Sequence, residues 1–222
     1  MSSVAGATAT APPPPTPERS AIWGYRDDGP LANAIGRSIG WRIPVPPIAL
    51  VLAGLVPLLV SIAVEGDDAS DAAAGAAIAW MVLMGSLASG RRHQDALRWA
   101  VPPMLRVAEF ASILWIGSLD GALPAAFAFL CVVSFRVYDL VYRLRYRASK
   151  TPDWLVAVAL GWDGRILLAF VLLVAGLLPA GLYVAAALLA AVLAGESVRG
   201  WVQFLRAQRR PVLYEDEEDE AA

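Results

Sequence analysis

The chain has 222 residues, 58% of them hydrophobic and only 17% charged, where an ordinary soluble domain carries about 25% charged residues. That balance points to a membrane protein rather than a soluble globular domain. One Cys and one His exclude a disulfide framework and a multi-histidine metal site. The formal charge of −2 hides an asymmetry: Glu215 to Glu220 are consecutive acids, and the rest of the chain is basic.

In chain order, residues 1–20 are Ala/Pro/Thr-rich and lack the basic start and apolar core of a signal peptide, so they are expected to be a disordered extension. Residues 21–210 are expected to form the membrane domain, and residues 211–222 an acidic disordered tail. The stretch "RSIGWRIPVPP" is expected to lie at the interface. Gly36 and Gly40 form a GxxxG, which outside an apolar 20-mer says little about helix dimerisation. Apolar runs then recur at Ile48–Val64, Ala72–Ala88, Val101–Leu119, Leu123–Val141, Ile166–Pro179 and Gly181–Gly195. A span needs about 20 residues, with a lower limit of about 17, so the last two runs must borrow from their flanks. The fifth would begin near Trp162, and the sixth would continue through Glu196 and Arg199 as a charged helical extension. Cys131 sits inside the fourth run and reads as an inert packing residue.

The connections support an all-α bundle of six transmembrane helices. "EGDDASD", "GSLDGALP" and "GLLPAG" carry no base, and under six spans all 18 Lys and Arg fall on the opposite side. The positive-inside rule then places both termini in the cytoplasm, giving a multi-pass protein of the cytoplasmic membrane. Pro46, Pro47, Pro102 and Pro103 suit helix entry points, where a missing N–H does no harm. Trp41, Trp80, Trp99, Trp115, Trp162 and Trp201 are expected mostly near span ends, where amphipathic rings collect.

Arg106 and Glu109 are unusual because they share one helical face about two turns inside the third span. Similar groupings recur at the charged ends of the other helices: Asp95 with Arg98, Arg136 with Asp139 and Arg143, Asp163 with Arg165, and Glu196 with Arg199. Ionisable groups at membrane depth face a bundle interior or a wet cavity. These residues are therefore expected to converge on one cytoplasm-facing pocket, the competing reading being separate salt bridges at the interface. Arginines in excess of acids favour a phosphate or carboxylate, and the depth suggests an anionic lipid headgroup or a lipid-linked phosphate. Asp95, Glu109, Asp139 and Asp163 are alternatively candidates to gather a Mg²⁺ that bridges to substrate phosphate.

The segments "YRDDGPLANAIGR", "LRWAVPPMLRVAEF", "FRVYDLVYRLRYR", "GWDGR" and "GESVRGWVQF" resemble an uncharacterised actinobacterial integral-membrane domain, found alone or fused behind nucleotidyltransferase and CDP-alcohol phosphotransferase modules. The resemblance spans about Ile22 to Phe204 and implies a context of lipid or lipid-linked headgroup metabolism. The chain is also similar to the six-span scaffold of the CDP-alcohol phosphotransferases themselves. Their metal-binding acids are mostly missing: "RDDGPLAN" keeps Asp28, Gly29 and Ala32 of that pattern but has Tyr25 and Asn33 at two other motif positions and precedes the first span. The expectation is an accessory, non-catalytic binding module with a lipid, a membrane enzyme or a second copy as partner. The alternatives are a Mg-dependent phosphoryl-alcohol transferase, with Arg98, Arg106 and Arg143 as phosphate clamps, and a small transporter, which the lack of midplane charges and repeats disfavours. Nucleic acid is not expected as a partner, because the arginines are spread along one membrane face.

Overall fold

The computed structural model describes residues 25–90, 97–142 and 153–208. The expected N-terminal extension and acidic tail, together with Asp95 and Arg143, lie outside the described residues. Among the described residues the chain is helical, without strands: α1 Pro30–Ser38, α2 Pro47–Glu65, α3 Asp71–Leu87, α4 Val101–Leu119, α5 Leu123–Tyr142, α6 Asp153–Val158, α7 Gly161–Val174 and α8 Leu178–Gln208.

Six stretches are long and apolar enough to cross a membrane: Pro47–Asp68, Asp71–Gly90, Arg98–Leu119, Leu123–Tyr142, Trp154–Val174 and Leu178–Val202. The first four agree with the apolar runs. The last two are shifted, because the turn between them falls at Ala175 to Leu177 and not after Pro179. Gly176 has φ +67, its N–H donates to the Leu173 carbonyl, and the Leu177 N–H reaches back to Leu172. This glycine-centred reversal ties off the last carbonyls of α7, and hydropathy cannot register it because its flanks are leucines. α8 has 31 residues, about 46 Å at 1.5 Å per residue, against a hydrocarbon core of about 30 Å. α8 is therefore longer than a hydrocarbon core is thick, and it continues as one helix through Glu196 and Arg199.

α4 lies at the centre and packs on α2, α3, α5 and α7, while α2 pairs with α3 and α8 packs mainly on α5. Leu105, Ala108, Ile113 and Ile116 of α4 are fully buried. On the perimeter Val56, Val60, Val64, Phe127 and Leu188 are exposed, an apolar surface that only hydrocarbon would solvate well. Cys131 also faces outward and is not an interior packing residue.

Pro57 stands inside α2 and cannot donate to the carbonyl of Ala53 four residues earlier. Trp80 of α3 fills that gap, its indole N–H donating to Ala53 O at 2.8 Å; in a membrane such a carbonyl needs a partner from the protein. Trp41, Trp99 and Trp201 are exposed, as interfacial rings should be. Trp115 and Trp162 are buried, so their indoles belong to the interior, where Trp115 donates to Gly66 O at 2.8 Å.

α1 is not a span; it lies across the ends of α3 and α7. Gly36 and Gly40 make this packing close: a Cβ on Gly36 would meet Gly90 N at 2.8 Å, and one on Gly40 would meet Leu87 O at 2.5 Å. The GxxxG therefore works within the chain, seating α1 against the end of α3.

Candidate functional site

The site is assembled at the α1 end of the bundle from α4, α5, α7 and the segment Tyr25 to Gly29 that leads into α1. Arg106 and Glu109 project from α4 one turn apart and form an ion pair. Arg136 reaches in from α5 and Arg165 from α7; Glu109, Arg136 and Arg165 have essentially no solvent exposure. At about 1.5 Å per residue, each lies two or three turns or less from the end of its helix. Equivalent depth on separate helices is what lets them meet.

Their common partner is Asp27. Arg165 Nη2 donates to Asp27 Oδ2 at 2.9 Å, Arg136 Nη2 to Oδ1 at 3.4 Å, and Arg106 Nη1 stands 3.9 Å from Oδ2. Glu109 closes the ring, accepting from Arg165 Nε at 2.5 Å and from Arg106. Arg165 Nη1 also donates to Ala159 O at 2.9 Å, and Arg106 Nη2 donates to Arg26 O. Burial by itself would raise the pKa of Asp27, but Arg165, Arg106 and Arg136 outweigh it and hold the carboxyl below its ordinary range. The carboxylate is thus ionised at neutral pH although buried.

The segment bearing Asp27 is docked backbone to backbone into the break between α6 and α7. Leu160 and Gly161 both have positive φ, +62 and +65, and so does Asp27, at +53. This left-handed region is unfavourable for residues other than Gly and is tolerated best by Asn and Asp. Trp162 N–H donates to Asp27 O at 3.1 Å, and a Cβ on Gly161 would sit 2.8 Å from that same oxygen and collide with Gly29. Only glycine at 161 permits the approach.

Asp163 has a different role from the one its spacing suggested. Its carboxylate accepts from Gly29 N at 2.6 Å and Ala32 N at 2.9 Å, so it caps α1 from another helix and satisfies amides left open at the start. Asp28 accepts from Trp162 Nε1 at 2.8 Å and from Arg26 Nε at 2.8 Å. Arg26 in turn donates through Nη2 to Gly85 O at 3.0 Å.

Of the residues singled out in the sequence, Arg106, Glu109, Arg136, Asp163 and Arg165 come together here. Asp139 lies at the margin, 3.9 Å from Arg136 Nη1. Arg98 is half-buried just before α4, Glu196 is half-buried on α8, and Arg199 is exposed. Sequence reasoning missed Arg26 and Asp27, and read Asp28 only as a remnant of the transferase pattern, outside the pocket. The signal that points to them is electrostatic: arginines inside spans need acids, and the Asp pair before the first span is a nearby source on the same side.

The expected excess of arginine is offset by these acids, since Arg26, Arg106, Arg136 and Arg165 stand among Asp27, Asp28, Glu109 and Asp163. Among the described residues no group of three or more His, Cys, Asp or Glu is placed to hold a metal ion. Glu109 is engaged by two guanidiniums and Asp163 by two amides. Chemically, the arrangement is a cage of guanidiniums around one carboxylate, reaching the surface at Arg106 and Asp28, whose side chains are each 14% exposed.

No curated protein and no solved structure matches the chain. A family match covers residues 18–221, from before the Asp27 segment to beyond the end of α8, and by it the chain belongs to DUF5941, a family of unknown function.

Proposed function

We propose that this protein is a membrane-embedded accessory module that holds an anionic lipid headgroup or lipid-linked phosphate at the cytoplasmic ends of its helices. The observation that carries this reading is the meeting of Arg106, Arg136 and Arg165, from three different spans, around a single carboxylate that belongs to none of them. Positive charge at that depth is costly without an anion, and guanidinium is the side chain best shaped to grip phosphate oxygens. The resemblance to domains fused behind nucleotidyltransferase and CDP-alcohol phosphotransferase modules is what would connect such a module with headgroup metabolism. A transferase reading finds less support, because the carboxylates of Glu109 and Asp163 are already engaged.

The test is binding of a short-chain phosphatidic acid to the purified full chain in neutral detergent, measured by calorimetry. Arg106→Ala removes a charge-assisted contact worth about 1.5–3 kcal/mol, so affinity should fall about tenfold to a hundredfold. Asp67→Ala, in the exposed turn at the opposite face, should leave it unchanged. Equal affinities for the two variants would refute the proposal.

A further inference from the structure

The fit of Asp27 in its cage suggests more than a fixed ion pair. Three guanidiniums surround it, yet only the Arg165 contact, at 2.9 Å, has good hydrogen-bond length; those of Arg136 and Arg106 are 3.4 and 3.9 Å. Asp27 brings two oxygens and a single charge to three cations, and Glu109, shared by Arg106 and Arg165, brings the only other carboxylate described in contact with that pair. A phosphate monoester offers three terminal oxygens and a charge of about −1.5 to −2. The seat is thus better matched in oxygen count and charge to phosphate than to the group that occupies it.

The occupant is also anchored separately from the helix that follows it. Asp27 stands before the first span and adopts a left-handed backbone, φ +53, that an Asp gains by giving up. The segment is held by the Trp162 N–H to Asp27 O bond, by the Trp162 indole on Asp28, by the buried Arg26 guanidinium on Gly85 O at 3.0 Å and by Arg106 on Arg26 O, all of which a ligand would have to displace. α1, immediately after it, has independent anchors: the close approaches of Gly36 and Gly40 to the end of α3 and the bond from Ser89 Oγ to Ala32 O at 2.7 Å. With Gly29 kept on Asp163, α1 would retain these anchors when residues 25–28 move, once Asn33 Nδ2 releases Asp28 O.

We infer that Asp27 is a tethered stand-in for phosphate: the ligand, a phosphate monoester, enters the Arg106, Arg136 and Arg165 seat by displacing the segment Tyr25 to Asp28. The inference rests on the anion-binding reading of the site and adds how that site is opened. With the seat closed most of the time, apparent affinity is reduced by the fraction open.

The experiment uses the full chain in phosphatidylcholine nanodiscs. One arm adds inorganic phosphate, the other includes phosphatidic acid in the disc, and hydrogen exchange is read at the Trp162 amide. Displacement should speed that exchange about tenfold or more, and Asp27→Asn, which removes the competing charge, should bind the same probe about tenfold more tightly. A response in both arms identifies phosphate itself as the ligand, and a response to phosphatidic acid alone identifies the lipid; either supports displacement. If wild type binds a probe while the Trp162 amide stays protected, Asp27 is a permanent counter-ion: displacement fails and the anion-binding reading stands. If folded wild type binds neither probe, both readings fall. The wild-type exchange result decides the matter even where Asp27→Asn does not fold.

Discussion

Arg165 is the most heavily engaged side chain in the cluster, and its replacement offers the sharpest test of how the bundle is held together. It is 1% exposed, and its guanidinium contacts Asp27 at 2.9 Å, Glu109 at 2.5 Å and the Ala159 carbonyl at 2.9 Å. Arg165→Met keeps the length of the side chain and removes the charge, leaving two carboxylates facing each other with Arg106 and Arg136 to share. Breaking a buried pair by removing one member costs about 3–5 kcal/mol, because the remaining charge is left buried and under-compensated. Glu109→Gln should cost a comparable amount, since it removes the carboxylate that Arg165 and Arg106 share and leaves both to Asp27. The double variant should fall short of the sum of the two by about 1–3 kcal/mol, the coupling expected for groups in direct contact. The assay is reversible unfolding in mixed micelles with increasing dodecyl sulfate, with Arg199→Met as an exposed control expected to stay within about 0.5 kcal/mol of wild type. Additive effects of Arg165→Met and Glu109→Gln would refute the shared network, since they would mean that each charge is satisfied independently.

Two further outcomes follow from the docking of the Asp27 segment. Gly161→Ala should be more destabilising than Gly121→Ala in the same unfolding assay, although the two glycines have similar φ values of +65 and +62. Gly121 faces open space, so its substitution carries only the left-handed cost of about 1–2 kcal/mol; Gly161 adds a collision with Gly29. Equal losses would show that the segment is not seated there. For pH, the Asp27 carboxyl is held below its ordinary value in the folded state. Its stabilising contribution is therefore complete above the unfolded value of about 3.9 and is lost as pH falls through the lower folded value. Stability of wild type should decline on acidification below about pH 4 more steeply than that of Asp27→Asn, read as unfolding midpoints across that window; parallel curves would argue that Asp27 is not gripped by arginine.

Much of the architecture was legible because hydropathy and charge segregation are properties of the chain itself. A helix must present about 20 apolar residues to cross hydrocarbon, so the runs of α2 to α5 can be read directly, and Arg106 with Glu109 pair at i,i+3 as their spacing says. Helical spacing fixes only neighbours on the same helix. It suggested Asp163 with Arg165, whereas Asp163 caps α1 and Arg165 binds Asp27 and Glu109. Likewise the GxxxG of Gly36 and Gly40 and the indoles of Trp115 and Trp162 take their meaning from whatever packs beside them.

The sequence alone therefore determined the number of spanning helices, which of their ends carry charge, and the presence of ionisable groups at a depth where they need partners. Tertiary structure alone decided who those partners are, because ion pairing depends on side chains meeting across helices and on backbone that bends through left-handed residues at 27, 160 and 161. Asp27 lies 138 positions from Arg165, and no local pattern encodes that meeting. It arises because a short segment outside the spans supplies the negative charge that the buried arginines require.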